Sequence, residues 1–299
     1  MTNKKTLGTF ELILLSTGGM IGTGWLFSPY YGFESAGAWV ILSWIITAFL
    51  IFLIALTFAE VVSSFPLAGG FMRYLDLTHS KSLGFLIITI GWLSYVVYLP
   101  LESQGTIQYL GYWLPQLVYS QNGKVTLSIV GTLCAIAIML ILTLFNMLHI
   151  NKVAKTNMGI SLWKIILPIV IAFIIIIYYG STSTFSYHAN TKPFNMNNIL
   201  LAITSSGLAF AFTGFQNGLI LANNAKNPHK SLPLSVIFPI IIGLTMYASL
   251  SLAFMFGLPP QSTFNATAPL LGILGLLSLN YLSIYYFICR CNHLAPWHS

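Results

Sequence analysis

Apolar runs of roughly 20 residues or more recur along the whole chain. They lie near 10–33, 38–63, 83–101, 125–148, 157–179, 198–222, 233–256 and 268–288, separated by short polar stretches. A helix rises about 1.5 Å per residue, so each run can cross a hydrocarbon layer of about 30 Å. The pattern predicts an all-α polytopic membrane protein of about eight transmembrane helices, a single transmembrane domain over 1–299. The stretches 102–124 and 180–197 read as polar, aromatic-rich outer loops.

Two of the eight runs are interrupted where a membrane helix should be continuous. The first contains Gly18-Gly19-Met20-Ile21-Gly22-Thr23-Gly24, and the sixth contains Ser205-Ser206-Gly207 through Phe212-Thr213-Gly214-Phe215-Gln216-Asn217-Gly218. Each glycine costs roughly 0.5–1 kcal/mol relative to alanine, and hydrocarbon offers the freed peptide groups no water. Glycines in one membrane helix commonly mark close packing. Two interruptions in corresponding members of two halves point instead to a cavity that holds a small solute.

Composition acts by exclusion. With 57% hydrophobic residues, 6% charged residues and a mean hydropathy of +0.83, no soluble core-and-surface arrangement fits 299 residues. The net charge of +7 is scattered over short loops and so does not suggest nucleic acid. A cytoplasmic N-terminus places Lys4, Lys5, Arg73, Lys81, Lys152, Lys155, Lys226 and Lys230 inside and only Lys124 and Lys192 outside, the positive-inside asymmetry of a multi-pass cell-membrane protein. The first run follows a charged start but lacks a small-residue cleavage site, and more spans follow, so it reads as a retained helix.

Lys164 stands inside the fifth run, between Leu162-Trp163 and an apolar stretch from Ile165 to Tyr179. It either snorkels to the interface or faces a polar interior as a proton-coupling or ion-replacing amine. Cys134 reads as a small packing residue. The tail Cys289-x-Cys291-x-His293-x4-His298 resembles a metal quartet by residue type, but a structural site needs a folded turn around its ligands, so no metal is expected. No cofactor is expected either. The spans carry no paired carboxylates and no Ser/His/Asp set, which disfavours an enzyme, and two broken helices suit an occluded site better than a channel.

At these residues the chain resembles the amino acid–polyamine–organocation permeases. Gly22-Thr23-Gly24-Trp25-Leu26-Phe27 looks like the family's G-[ST]-G-x-x-F signature. Ala59-Glu60 followed by Phe65-Pro66-Leu67-Ala68-Gly69-Gly70 and Tyr74 resembles A-E-x5-P-x-x-G-G-x-x-x-Y, and Lys226-Asn227-Pro228 through Pro233 is similar to K-N-P-x-x-x-x-P. The likeness runs from about 7 to 282. It implies a LeuT-type inverted-repeat fold with discontinuous helices 1 and 6, a first five-helix repeat over 8–180 and an incomplete second repeat over 197–288.

The resemblance implies proton-coupled symport of an amino acid, with the lipid bilayer as surroundings and no indication of oligomeric state. By position, amides at Thr23 and Gly24 take the substrate carboxylate, carbonyls of Gly19, Met20 and Phe210 take its ammonium, and Gly22 belongs to the same binding site. Phe210 and Phe212 are either apolar lids or ordinary packing, and Thr213 and Gly214 complete the site. Lys164 matches the lysine of the family's fifth helix and is the expected coupling residue. The five acids, Glu11, Glu34, Glu60, Asp76 and Glu102, all precede the sixth run, which carries Gln216 and Asn224 where the family often has acids. That disfavours a cationic substrate, and Gly24-Trp25-Leu26-Phe27 looks closest to aspartate–proton symporter relatives. Glu60 reads as a structural partner for inner-side cations or helix ends in preference to a proton carrier. The alternative function is a transport-inactive amino acid sensor or binding protein of the same fold.

From Phe287 the family pattern breaks. Shifting the frame at Tyr286, with permitted synonymous codons, turns Phe287–Ser299 into T-L-F-V-D-A-I-I-S-P-L-G-T, similar to the family's eighth helix D-x-x-x-S-P-x-G-T. Residues 287–299 are therefore expected to be out-of-frame text, and the 299-residue product an inactive fragment. Sequencing the gene through codon 287 checks this. The other frame is expected to continue into several more apolar runs, and an early stop there refutes the shift.

Overall fold

The computed structural model describes residues 7–65, 74, 78, 80–121, 124–146, 150–180, 182–258 and 267–275. The first run is α1 (Thr9–Met20) and α2 (Gly24–Ala36), separated by a non-helical step at 21–23. Gly37, at φ +61°, redirects the chain into α3 (Val40–Ser64). Next come α4 (Lys81–Leu110), the strands β1 (Val118–Gln121) and β2 (Lys124–Leu127), α5 (Ile129–Asn146), α6 (Ile150–Tyr179) and the short α7 (Thr182–Thr191). The sixth run is also in pieces: α8 (Met196–Ser205), the single turn α9 (Leu208–Ala211) and a 3-10 segment Asn217–Asn224. It leads into α10 (Pro228–Gly257), and residues 269–275 are helical again.

Local chemistry explains the starts. Ser80 Oγ accepts from the Leu83 amide at 3.2 Å at the head of α4, and Asn195 Oδ1 accepts from the Asn197 amide at 2.9 Å at the head of α8. Pro228 opens α10, where its missing N–H has no helical acceptor to lose.

Helix α10 is the axis of the fold and packs against α3, α1, α6 and α2. Its buried residues Leu232, Val236, Ile240, Gly243, Tyr247, Leu250 and Phe254 repeat every three or four positions, one face of a helix. Trp44 of α3 is fully buried against it. The Trp44 ring stacks on Tyr247 at 4.8 Å, and its Nε1 donates to Ser251 Oγ at 2.9 Å. The opposite faces of the outer helices are apolar and open: Phe85 is 73% exposed, Ile129 83% and Ile177 70%. An apolar surface of this extent suits lipid and not water.

The eight expected spans are not all seen as continuous rods. Among the described residues, four helical stretches are long and apolar enough to cross a membrane: Gly24–Ser64, Lys81–Leu110, Gly159–Tyr178 and Pro228–Gly257. Ile129–Leu144 is a shorter apolar helix, and α1, α8 and α9, which border the breaks, are each individually too short. The eighth run is described only over 268–275, and the cysteine–histidine tail and all of 287–299 lie outside the described residues.

The expected all-α chain also carries one antiparallel hairpin, pairing Val118 with Leu127, Tyr119 with Thr126 and Ser120 with Val125. Its β-branched and aromatic residues favour extended backbone. The stretch expected as an outer loop from 102 begins as helix, because α4 continues to Leu110.

At the opposite end, Leu7 pairs with the segment after the second break. Its amide donates to the Asn224 carbonyl and its carbonyl accepts from the Lys226 amide, each at 2.9 Å. The motif Lys226-Asn227-Pro228 thus closes over the entrance to α1.

Trp44→Ala is expected to cost about 3–5 kcal/mol, from lost packing and an emptied volume. Trp44→Phe, which keeps most of the ring and loses the bond to Ser251, should cost about 1–2 kcal/mol. Thermal melts of purified protein in lipid nanodiscs check both.

Candidate functional site

The two breaks meet. Gly214 has φ +100°, a conformation that glycine tolerates and other residues resist. A Cβ added there would lie 2.6 Å from the Gly19 carbonyl oxygen and 3.0 Å from the Met20 amide nitrogen. The second break therefore lies backbone-on-backbone against the first, an approach that any side chain at 214 would block. Gly19 in turn leaves no room for a Cβ beside the Asn217 side chain, and the Gly218 amide donates to Ser16 Oγ at 2.8 Å.

The peptide groups released by the interruption find partners nearby. The Ile21 amide still reaches the Thr17 carbonyl at 2.9 Å, and the Gly22 amide bends back to the Met20 carbonyl at 3.1 Å. The Thr23 amide, at the N-cap of α2, donates to Glu102 Oε2 of α4 at 2.6 Å. Positive charge density from the helix end favours a carboxylate there.

Glu102 belongs to a stripe on α4 that bears on both breaks. Tyr95, Tyr98, Glu102, Gly105 and Tyr109 are spaced alternately three and four apart, which puts them on one helix face. Tyr95 Oη donates to Asn217 Oδ1 at 3.0 Å, and Tyr98 Oη donates to Thr213 Oγ1 at 2.5 Å while its ring stacks on Phe210 at 5.3 Å. Gly105 faces the Thr23 side chain, and Tyr109 Oη donates to the Leu26 carbonyl at 2.8 Å. The sequence reading passed over this stripe, although its spacing is visible there.

A cavity of about 540 Å³ opens beside the first break, lined by Thr23, Gly24, Phe27, Tyr31, Glu102, Gln108 and Phe210 among others, with Val125 and Thr126 of the hairpin at its edge. Its size suits a small organic solute. Of the expected site residues, Thr23, Gly24 and Phe210 line it, and Gly22 packs against the Glu102 carboxylate at its floor. Gly19, Met20 and Gly214 form the seam between the two breaks. Thr213 is engaged by Tyr98, and the Phe210 carbonyl, expected to take an ammonium group, accepts from Thr213 through both its amide (3.0 Å) and its Oγ1 (2.6 Å).

Two residues lie elsewhere. Phe212 is fully buried, edge-on to Trp44 at 5.9 Å and to Tyr247 at 5.5 Å, so its ring is core and not a cavity lid. The turn at Gly207, with φ +78°, rotates the chain out of the phase of α8, which sends neighbouring rings in different directions. Lys164 sits on α6 behind the first break, where its Nζ donates to the Gly18 carbonyl at 3.4 Å. Gly18 itself packs closely on Ser161, one turn earlier. The stretch Pro66–Arg73 of the second motif lies outside the described residues. Among the described residues no three His, Cys, Asp or Glu side chains gather as metal ligands would.

Broken helices beside a partly polar cavity, within a bundle whose outer faces are apolar, define a multi-pass membrane protein. The family model described as "Amino acid permease" matches residues 7–283, and the chain belongs to that family. It is 32% identical over 294 residues to the glutamate/serine transporter AimA of Bacillus subtilis (strain 168), covering 95% of this chain and 54% of that protein. It is 30% identical over 259 residues to the aspartate-proton symporter of the same organism, covering 87% and 49%. The branched-chain amino acid permease BcaP is 28% identical over 274 residues, covering 87% and 56%. The chain spans about half the length of these relatives, all of them transporters and not enzymes.

Gly24 and Gly214 should respond oppositely to alanine. A Cβ at Gly24 meets no atom within 4 Å, so Gly24→Ala is expected to leave the melting temperature unchanged and to weaken solute binding by narrowing the cavity. Gly214→Ala forces a strained φ and a backbone collision, and should lower stability by about 1–3 kcal/mol. Melting curves and binding isotherms on the same preparations separate the two effects.

Proposed function

We propose that this chain carries the substrate site of an amino acid permease that takes up its substrate by proton-coupled symport. The observation that supports this most is the seam between the breaks, where Gly214 rests on Gly19–Met20 and the amide end of α2 faces the cavity. A free amino acid needs an anion cradle and an ammonium acceptor a few ångströms apart, and two broken helices can supply both from backbone alone. In this reading the substrate carboxylate lies at Thr23 and Gly24, Phe210 covers it, and carbonyls of the seam receive the ammonium group. The Phe210 carbonyl takes part only once Thr213 releases it. The repeats 8–180 and 197–288 belong to an inverted-repeat architecture, and the N-terminus faces the cytoplasm.

Relatives named for glutamate, serine and aspartate favour a small polar or acidic amino acid as substrate. Lys164 is the proposed coupling residue. Its bond to the Gly18 carbonyl joins α6 to the rim of the first break, so loss or gain of its proton bears directly on the geometry of that break.

Binding is measured with radiolabelled L-glutamate, L-aspartate, L-serine and L-lysine on purified protein in nanodiscs. Saturable binding of one or more of the first three, and none of L-lysine, is expected, and no binding of any amino acid refutes the reading. Transport is measured in proteoliposomes. There an imposed proton gradient is expected to drive accumulation, and Lys164→Ala should abolish accumulation while leaving exchange largely intact. Unchanged accumulation removes Lys164 from the mechanism, and binding without flux favours a sensor.

A further inference from the structure

Thr23 offers a single amide N–H at the head of α2, and that donor is already taken by a carboxylate of the protein itself, Glu102 Oε2 at 2.6 Å. The contact is tight on both sides. A Cβ at Gly22 would collide with Glu102 Oε1, so glycine at 22 is what lets the carboxylate reach the amide. Glu102 also lines the cavity and is only partly buried, so its side chain has open space beside it into which it can swing. One turn earlier on the same helix face, Tyr98 holds Thr213 of the second break, which fixes α4 in register with both interruptions.

We propose that Glu102 is a built-in competitor for the substrate: its carboxylate occupies the amide cradle in the empty protein, and a ligand carboxylate binds only by displacing it. The inference rests on the reading that Thr23 and Gly24 hold the substrate carboxylate. One N–H cannot serve two carboxylates, and two like charges at one helix end repel one another. The bond to Glu102 therefore keeps the Thr23 donor satisfied inside the membrane, where an unpaired amide is costly. Occupancy by Glu102 also makes the site selective: a solute without a carboxylate gains nothing from Thr23 and leaves Glu102 in place.

The test compares wild type, Glu102→Ala and Glu102→Gln in nanodiscs, with L-serine and L-serinamide as probes and the dissociation constant of each as readout. Removing the competitor is expected to tighten L-serine binding about tenfold in Glu102→Ala, the scale of one charge-assisted hydrogen bond. Glu102→Gln keeps the shape and an acceptor oxygen but loses the charge, and should fall between the two. L-Serinamide, which lacks the carboxylate, should gain nothing in either variant. If wild type binds L-serine and neither variant binds it more tightly, the competitor role is overturned while the substrate site stands. An equal gain for L-serinamide overturns it as well, since that marks a general loosening of the cavity. If no protein binds either probe while L-glutamate and L-aspartate also fail, the substrate reading falls and the competitor role falls with it.

Discussion

The structure depends on one close approach, the backbone of Gly214 lying on the backbone of Gly19 and Met20. A helix interrupted in hydrocarbon exposes amides and carbonyls that lipid cannot bond, and each unmatched group costs several kcal/mol. Two interruptions placed against each other reduce that cost together, and the surroundings serve the same need. Tyr247 of α10 donates to the Ala211 carbonyl at 2.8 Å, Ser16 of α1 receives the Gly218 amide, and the α4 stripe reaches Thr23, Leu26, Asn217 and Thr213. The aromatic cluster of Trp44, Tyr247 and Phe212 then fixes the second break against the core. The cavity lies between α4 and the first break.

Much of this was legible from residue order. Glycines between Gly18 and Gly24, and again between Gly207 and Gly218, interrupt apolar runs so plainly that both breaks could be placed within a few residues. Lys164 was legible because a lone cation in an apolar run has few acceptors, and the structure gives it the Gly18 carbonyl. The position of Phe212 was not, because helical phase is lost at a left-handed glycine and face assignments cannot be carried across it. Glu102 escaped notice for a related reason. Pro100 and the polar residues after it read as the end of a span, whereas α4 continues through the proline to Leu110 and carries the carboxylate inward. The hairpin was hidden as well, since four-residue strands lack the length for a clear alternating pattern.

Family membership and geometry bear on different parts of the account. Membership rests on a match across most of the chain and establishes kinship with amino acid permeases. The site rests on particular bonds, such as that of the Thr23 amide to Glu102, which kinship alone does not provide. The two meet at Gly22-Thr23-Gly24, which lies within the matched range and is where the first helix is cut and the cavity begins.

The pairing of Leu7 with Asn224 and Lys226 carries a mechanical implication. It buckles the leading end of the first interrupted rod to the trailing end of the second with two backbone hydrogen bonds. Neither rod can slide at that end without dragging the other or rupturing the buckle.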